Sequence, residues 1–122
     1  MVLFLEEPKQ PTEVKTSSSE TAFDIDKLAY AVAMSETHNC TKGYGLTYNN
    51  CFGIKNGNTA PCPKIGRNNM CIYEKPEESY AAFKTIWSKW YQGYPTLKSA
   101  QKWSGGSGEN WLKNVKFHYD NN

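Results

Sequence analysis

Residues 39–72 constrain the fold more than any other part of the chain. This segment holds all four cysteines of the 122-residue sequence, and Gly, Asn and Pro interrupt it too often for a long helix or strand to form. No two cysteines are separated by only two residues, and His38 is the only histidine nearby, so the spacing fits a zinc site poorly. We therefore expect a small, irregular lobe held together by two disulfides.

Four cysteines can pair in three ways. We expect Cys40–Cys51 and Cys62–Cys71, because each of these bridges closes a short local loop. By the chain-entropy model, a loop of roughly 10 residues stabilises a fold by about 2–3 kcal/mol. Disulfides persist in oxidising surroundings, so the chain is predicted to be secreted, periplasmic or tethered at the cell surface.

An amphipathic helix is predicted before this lobe. Apolar residues recur at i, i+3, i+4, i+7 and i+8, which is the spacing of one helix face, and Asp24 or Asp26 provides an N-cap or a favourable first-turn charge. Glu36 lies about three turns after Ile25, so a carboxylate projects from the buried stripe at the end of the helix. The apolar stripe comprises Ile25, Leu28, Ala29, Val32 and Ala33.

Three further helices are predicted after the lobe. Pro76 begins the first of them, with Glu77 and Glu78 in its first turn, and Gly93 lies near its end. A short helix is expected over residues 96–103. A Gly- and Ser-rich linker at 104–108 precedes the last helix, whose apolar face comprises Trp111, Leu112, Val115 and Tyr119.

Short strands are predicted at residues 52–55, 64–67 and 70–73. The last two are expected to form a hairpin that the Cys62–Cys71 bridge would staple. The chain as a whole is therefore predicted to be α+β and mainly helical, with one helix, a small β-lobe and a helical bundle in that order.

Residues 1–22 are predicted to be a flexible tether, and residues 23–122 a single folded domain. After its first five residues the tether is rich in Pro, Ser and Glu and has almost no apolar side chains. Such a segment cannot bury enough surface to offset the entropy of ordering it. The opening apolar run, MVLFL, is too short for a signal peptide.

The folded domain carries a modest positive charge, from 12 basic and 8 acidic residues. This balance suits an anionic polymer such as bacterial cell wall. The basic residues are scattered rather than clustered, so nucleic acid is not expected as a partner. A monomer is expected.

Glu36 has two interpretations. Cleavage of a glycosidic bond needs a carboxylic acid that stays protonated near neutral pH, and apolar surroundings raise the pKa of a Glu by desolvation. A Glu at the lip of a groove would meet that need. A helix-terminal Glu that simply points to solvent fits the same periodicity, so the pattern alone leaves both open.

The residues around Glu36 carry a family resemblance. The segments are AVAMSET at 31–37, GYG at 43–45 and YNNCFGIKNG at 48–57, followed by CIYEKPEESY at 71–80. Their order and separation are similar to those of the bacterial glucosaminidase family, which belongs to the lysozyme-like superfamily. The resemblance covers residues 24–119.

This resemblance implies a lysozyme-like fold and an enzyme that cleaves peptidoglycan. The bonds cut would be the β-1,4 bonds between N-acetylglucosamine and N-acetylmuramic acid, with Glu36 as the general acid. Neither a metal nor a cofactor is implied.

The resemblance also implies roles for other residues. Asn50, Phe52 and Gly53 would shape the groove floor and support the acid, with Gly53 allowing close approach of the backbone. Trp103 falls where the family often has a Tyr beside the sugar. Trp111 aligns with an aromatic residue of the last helix, and we interpret it as part of the core.

Tyr44 and Tyr48 are candidates for substrate contact because of their residue type. Both lie in the Gly-containing part of the lobe, and an aromatic ring can stack on a sugar. A hydroxyl from either one near the reacting carbon is the other role considered.

The chain departs from the family in its second acid. Many members have one in the β-lobe, but no Asp or Glu lies between Glu36 and Glu74. Glu74 is the candidate second acid, although a solvated charge at the start of the next helix explains it better. A single acid is typical of lytic transglycosylases, in which the substrate's own hydroxyl replaces water. The product type therefore stays open.

Two other classes of function remain. The missing second acid suits a non-catalytic module that binds cell wall or another glycan on the same fold. The cysteine count by itself fits a disulfide-stapled secreted effector or inhibitor. A Glu at position 36 within the matching motif favours the enzyme.

Overall fold

The computed structural model describes residues 22–121, which form five α-helices and a two-stranded sheet. In chain order the elements are α1 (Ile25–Thr37), α2 (Tyr44–Tyr48), β1 (Lys64–Ile65), a 3-10 turn (Arg67–Asn69), β2 (Cys71–Ile72), α3 (Pro76–Trp90), α4 (Leu97–Ser104) and α5 (Glu109–Asp120). The prediction of a mainly helical α+β chain is confirmed. The tether predicted for residues 1–22 lies, apart from Ala22, outside the described residues.

Local signals account for the start of three long helices. The Asp24 side chain caps α1 by accepting hydrogen bonds from the N–H groups of Asp26 and Lys27. Pro76 lies in the first turn of α3, where its missing N–H costs nothing. Thr96 and Ser99 form a reciprocal capping box at the start of α4.

The short helix α2 is missing from the sequence prediction, which assigned only turns and short strands to residues 39–72. Two of the residues that were interpreted as turn formers are the N-cap and the C-cap of α2. Gly43 precedes the helix with φ 60°, and Asn49 ends it in the left-handed region with φ 55°. Residues of this kind adopt positive φ at low cost, so they fit the ends of a single helical turn as well as a loop.

The hairpin is confirmed. Strands β1 and β2 are antiparallel, with Lys64 opposite Ile72 and Ile65 opposite Cys71. The 3-10 turn joins them, and Asn68 within it has φ 54°. Each strand is shorter than predicted, with only two residues in the ladder.

The strand predicted at residues 52–55 is wrong. This segment contributes only an isolated bridge between Lys55 and Met70. The buried side chain of Asn50 explains the difference. It accepts a hydrogen bond from the N–H of Ile54 and donates one to the carbonyl of Ile54, which holds the segment in a tight turn.

Both expected disulfides are present. Cys40–Cys51 has a Cα–Cα distance of 4.5 Å and ties the segment just after α1 to the lobe. Cys62–Cys71 has a Cα–Cα distance of 5.2 Å and staples the hairpin. The two bridges together fix the lobe, whose own secondary structure is scant.

The core lies between the helices and is centred on aromatic rings. Helix α1 packs chiefly against α5 and also contacts α3. Trp87 of α3 is fully buried, and the rings of Phe83, Tyr91 and Trp111 stack on it. No helix within residues 22–121 has the length and apolar character needed to cross a bilayer.

Candidate functional site

The side chain of Glu36 accepts hydrogen bonds from two indoles. The Nε1–H groups of Trp103 and Trp111 both donate to the same oxygen, Oε2, at 3.1 Å and 2.9 Å. These tryptophans lie 67 and 75 residues further along the chain. Three helices, α1, α4 and α5, therefore meet at one carboxyl group.

The end of α1 positions Glu36. His38 adopts φ 52°, and its N–H bonds back to the carbonyls of Ala33 and Met34, which terminates the helix one residue after Thr37. The buried Thr37 hydroxyl donates to the carbonyl of Cys51 at 2.8 Å and accepts from the N–H of Cys40. The backbone beside Glu36 is thereby anchored to the lobe.

A glycine brings the two tryptophans together. Gly108 precedes α5 with φ 74°, and a Cβ at this position would lie 2.8 Å from the backbone nitrogen of Gln101. Only glycine permits this close approach of the start of α5 to α4. The reversal places Trp111, in the first turn of α5, beside Trp103 near the end of α4.

The aromatic core supports both indoles. Trp103 meets the rings of Phe83 and Tyr91 edge to face, at centroid distances of 5.4 Å and 5.6 Å. Trp111 stacks on Trp87 at 6.4 Å. Because Trp87 is fully buried and its own N–H donates to the carbonyl of Gly93, this support is rigid.

Burial raises the pKa of Glu36. Desolvation against the protein is the larger effect, and the hydrogen bonds from Trp111 and Trp103 oppose it by stabilising the ionised form. The residue as a whole remains exposed, and neither indole donates to its other carboxyl oxygen, Oε1. The carboxyl group thus combines an apolar backing with access from solvent, the requirement stated above for a glycosidic acid.

A cleft of about 380 Å³ lies apart from Glu36. Pro61, Pro63 and Tyr73 face Ala82 and Thr85 of α3 across it, and Glu36 does not line it. The cleft presents one acid, Glu78, and a largely apolar wall, so it has no counterpart to the carboxyl group held by two indole donors.

Asn50 and Phe52 are too deeply buried to touch a substrate. Asn50 is 0% exposed, and its amide also donates to the carbonyl of Cys71. Phe52 is 1% exposed, and its ring stacks on Phe83 at 4.5 Å. The assignment of these two residues to substrate binding is corrected: they support the site from beneath.

Gly53 is half-buried. A Cβ at Gly53 would meet nothing within 4 Å, so no other part of the protein approaches it closely; its place on the groove floor stays a prediction. Its φ of 70° is what favours glycine. Gly45 has the close approach instead, because a Cβ there would lie 2.6 Å from the Cα of Cys40.

Tyr44 and Tyr48 connect α2 to the hairpin. The two rings stack at 5.2 Å. The Tyr48 hydroxyl accepts from the N–H of Arg67 at 3.0 Å, and the Tyr44 hydroxyl accepts from the side chain of Asn68. In both bonds the hydroxyl only accepts, so its own O–H is left to donate, and both rings remain partly accessible for stacking.

Glu74 is exposed and lies between β2 and α3. Its backbone N–H donates to the side chain of Glu78, a local contact at the start of α3. No hydrogen bond joins Glu74 to Glu36 within residues 22–121. Trp103, by contrast, bonds to Glu36, and its expected place beside the sugar stays a prediction.

Trp111 and Thr37 are the site residues that the sequence interpretation missed. Trp111 was expected in the core, and its ring does pack there, but its N–H reaches Glu36. The signal for Thr37 was its place directly after Glu36 in the AVAMSET segment. No local signal could have identified Trp111, because its partner is 75 residues away.

Comparison of the chain with protein-family models, with curated proteins and with solved structures gives no match.

Proposed function

We propose that this chain is a lysozyme-like enzyme that cleaves the glycan strands of peptidoglycan, with Glu36 as its general acid. One observation carries the proposal. The carboxyl group of Glu36 accepts hydrogen bonds from two tryptophans, burial raises its pKa, and the residue is nevertheless exposed to solvent. The sequence resemblance around Glu36 supplies the substrate class.

A raised pKa is what the first step of glycoside cleavage needs. The acid must still hold its proton near neutral pH so that it can transfer it to the departing glycosidic oxygen. An exposed Glu of ordinary pKa would be ionised there and unable to donate. Burial against apolar rings is the same means by which other acids of this kind are kept protonated.

The lack of any Asp or Glu between Glu36 and Glu74 supports a mechanism with one acid. Among residues 22–121, the side chain of Glu36 has hydrogen bonds only to the two indoles. The same carboxyl group would then act first as acid and afterwards as base. The attacking group is either water, which gives a reducing end, or a hydroxyl of the substrate, which gives an anhydro ring.

The disulfides support the proposed compartment, and the charge supports the proposed partner. Two disulfides support an oxidising location outside the cytoplasm. The modest positive charge of the domain favours an anionic wall polymer as partner.

The test is digestion of purified peptidoglycan by the wild-type protein and by Glu36→Gln, with soluble products analysed by mass spectrometry. Gln keeps the oxygen that accepts the indole bonds but cannot donate a proton as an acid does. We expect products from the wild type and a loss of at least about 100-fold in E36Q, the usual scale of general acid catalysis. Anhydro ends identify a transglycosylase, and reducing ends a hydrolase.

Glu74→Gln is the matched control. If Glu74 is a solvated helix-start charge, E74Q cleaves like the wild type; a comparable loss in E74Q would make it the second acid. If neither wild type nor E36Q releases products although both sediment with peptidoglycan, the enzyme proposal fails and the non-catalytic binding module replaces it.

A further inference from the structure

We propose that Trp103 and Trp111 are a pair of positioning residues that confine the exchangeable proton of Glu36 to Oε1. The catalytic consequence rests on the proposed function, but the location of the proton does not. Both indole N–H groups end on Oε2, from two different helices. The pair is called the indole clamp below.

The chemistry of indole makes the clamp selective. An indole N–H can only donate, so it cannot accept a hydrogen bond from a protonated carboxyl oxygen. A proton on Oε2 would face two N–H hydrogens within hydrogen-bond distance. A proton on Oε1 leaves both indole bonds intact. The neutral carboxyl group is therefore protonated on Oε1, the oxygen to which neither indole donates.

The aromatic core keeps the clamp from rotating to another arrangement. Trp111 stacks on the buried Trp87, and Trp103 is held edge to face by Phe83 and Tyr91. Turning the carboxyl group by half a turn would return the same pattern with the oxygens exchanged. A rotation that carries Oε2 out of reach of either indole nitrogen breaks that N–H bond.

The clamp makes a single oxygen the site of both proton transfers. As the glycosidic C1–O bond breaks, its electron pair goes to the leaving oxygen, which takes the proton from Oε1. The ionised carboxylate keeps both N–H bonds on Oε2. When the oxygen of water or of a substrate hydroxyl bonds to C1, its proton passes to Oε1, and the acid is restored.

Burial and the two indole bonds are the causes of the shifted pKa of Glu36. Within residues 22–121 the Glu36 carboxyl group has no hydrogen bond to a charged side chain of α4 or α5. Those charged side chains are Lys98, Lys102, Glu109, Lys113, Lys116, His118 and Asp120. Removing one N–H donor should therefore raise the pKa of Glu36 further, because the ionised form loses stabilisation.

The first test is NMR titration of the ¹⁵N-labelled protein without substrate. The indole N–H resonances of Trp103 and Trp111 are expected to move with one common midpoint, which is absent in Glu36→Gln. The resonance of Trp90 is the internal control, because its N–H donates to the hydroxyl of Thr59. Indole resonances that do not follow Glu36, or that follow it with different midpoints, overturn the clamp.

The second test compares Trp103→Phe and Trp111→Phe with the control Trp90→Phe. Each of the first two variants removes one donor and keeps an aromatic ring. We expect the midpoint of Glu36, followed by ¹³C labelling of its carboxyl, to rise in both and to stay unchanged in W90F. On a soluble glycan fragment, kcat should fall about tenfold in W103F and W111F with KM within roughly twofold, because a lost bond to a charged group is worth that much.

The two tests separate the clamp from the proposed function. A wild-type protein that cleaves nothing but whose two indoles titrate with Glu36 refutes the function and keeps the clamp. A protein that cleaves glycan while the carboxyl midpoint is the same in W103F, W111F and wild type refutes the clamp and keeps the function.

Discussion

Asn50 and Glu36 are polar side chains in apolar surroundings, and their hydrogen bonds show how differently they are used. The Asn50 amide is 0% exposed and satisfied on both its oxygen and its nitrogen by backbone groups. The Glu36 carboxyl group has one oxygen occupied by two donors and the other free of them. A fully satisfied buried group fixes structure, whereas a half-satisfied group at the surface remains available for proton transfer.

Ionisation of Glu36 should lower the free energy of unfolding as pH rises. Because burial raises its pKa, the folded chain still binds a proton at pH values where the unfolded chain has released it. The free energy of unfolding therefore falls as pH rises from the ordinary pKa of Glu through the raised pKa of Glu36. Glu36→Gln removes this dependence.

Calorimetry of the wild type and E36Q across this pH window tests the sign. The melting temperature of E36Q should approach that of the wild type at acidic pH and exceed it increasingly as pH rises. A melting temperature of E36Q that drops further below the wild type with rising pH would mean that folding lowers the pKa of Glu36.

Asn50→Ala should destabilise the lobe strongly. The substitution removes the side-chain partner of the carbonyl of Cys71 and of the N–H of Ile54, and one of the two donors to the carbonyl of Ile54, which keeps the bond from the N–H of Cys71. We expect a cost of about 3 kcal/mol. Asn58→Ala is the control, because Asn58 is exposed and makes one bond, to Lys55; it should cost less than about 1 kcal/mol. Urea unfolding measures both, and equal losses would contradict the role of Asn50.

At the scale of elements, α2 and the hairpin are joined through tyrosine rings. The strands contribute only two residues each to a ladder, too few to hold the lobe by themselves. Tyr48 supplies the connection: its ring covers Gly66, and its hydroxyl accepts from Arg67. The helix that the sequence analysis did not predict is therefore an essential support of the hairpin that it did predict.

Gly66→Ala tests this connection. A Cβ on Gly66 would lie 2.6–2.8 Å from the Tyr48 ring, so the ring must move, at a cost of about 1–3 kcal/mol. If the clash with Tyr48 is the cause, G66A should cost much less in a Tyr48→Ala background. A double-mutant cycle by urea unfolding measures this coupling, and additive effects would show that Tyr48 is not the obstacle.

At the scale of the whole molecule, α1 is the member to which the other parts attach. Helix α1 packs against α5 and α3. Its last residue, Thr37, donates a hydrogen bond to the carbonyl of Cys51 in the lobe. The carboxyl group of Glu36 joins α1 to α4 and α5. The Cys40–Cys51 bridge closes this arrangement just beyond the helix. Glu36 is thus placed by the lobe on one side and by the helical bundle on the other.

The two disulfides should have unequal effects on the site. Cys40→Ala/Cys51→Ala and Cys62→Ala/Cys71→Ala should each lose about 2–3 kcal/mol, since both loops are short. Only loss of the first bridge should also change the carboxyl titration of Glu36, because only that bridge holds the end of α1. Urea unfolding and ¹³C NMR titration check the two parts, and equal changes at Glu36 would contradict this placement.

The elements that depend on local interactions could be predicted from the sequence. The apolar period predicts α1, α3 and α5, with Asp24 or Asp26 at the start of α1 and Pro76 at the start of α3, because helix backbone bonds join residues only three or four positions apart. The two disulfides follow in the same way from short loops. Glu36 could be singled out because a charge on an apolar stripe is visible in the sequence.

The surroundings of Glu36 depend on tertiary packing and could not be predicted from the sequence. The strand expected at residues 52–55 does not form, because the Asn50 side chain bonds to the N–H and the carbonyl of Ile54. Hydrophobic periodicity and strand propensity do not predict this competition between a side chain and a sheet partner. Trp103 and Trp111 reach Glu36 across 67 and 75 residues. Their meeting depends on how three helices pack and on the close approach that Gly108 permits, and packing of distant surfaces is not encoded in any local pattern.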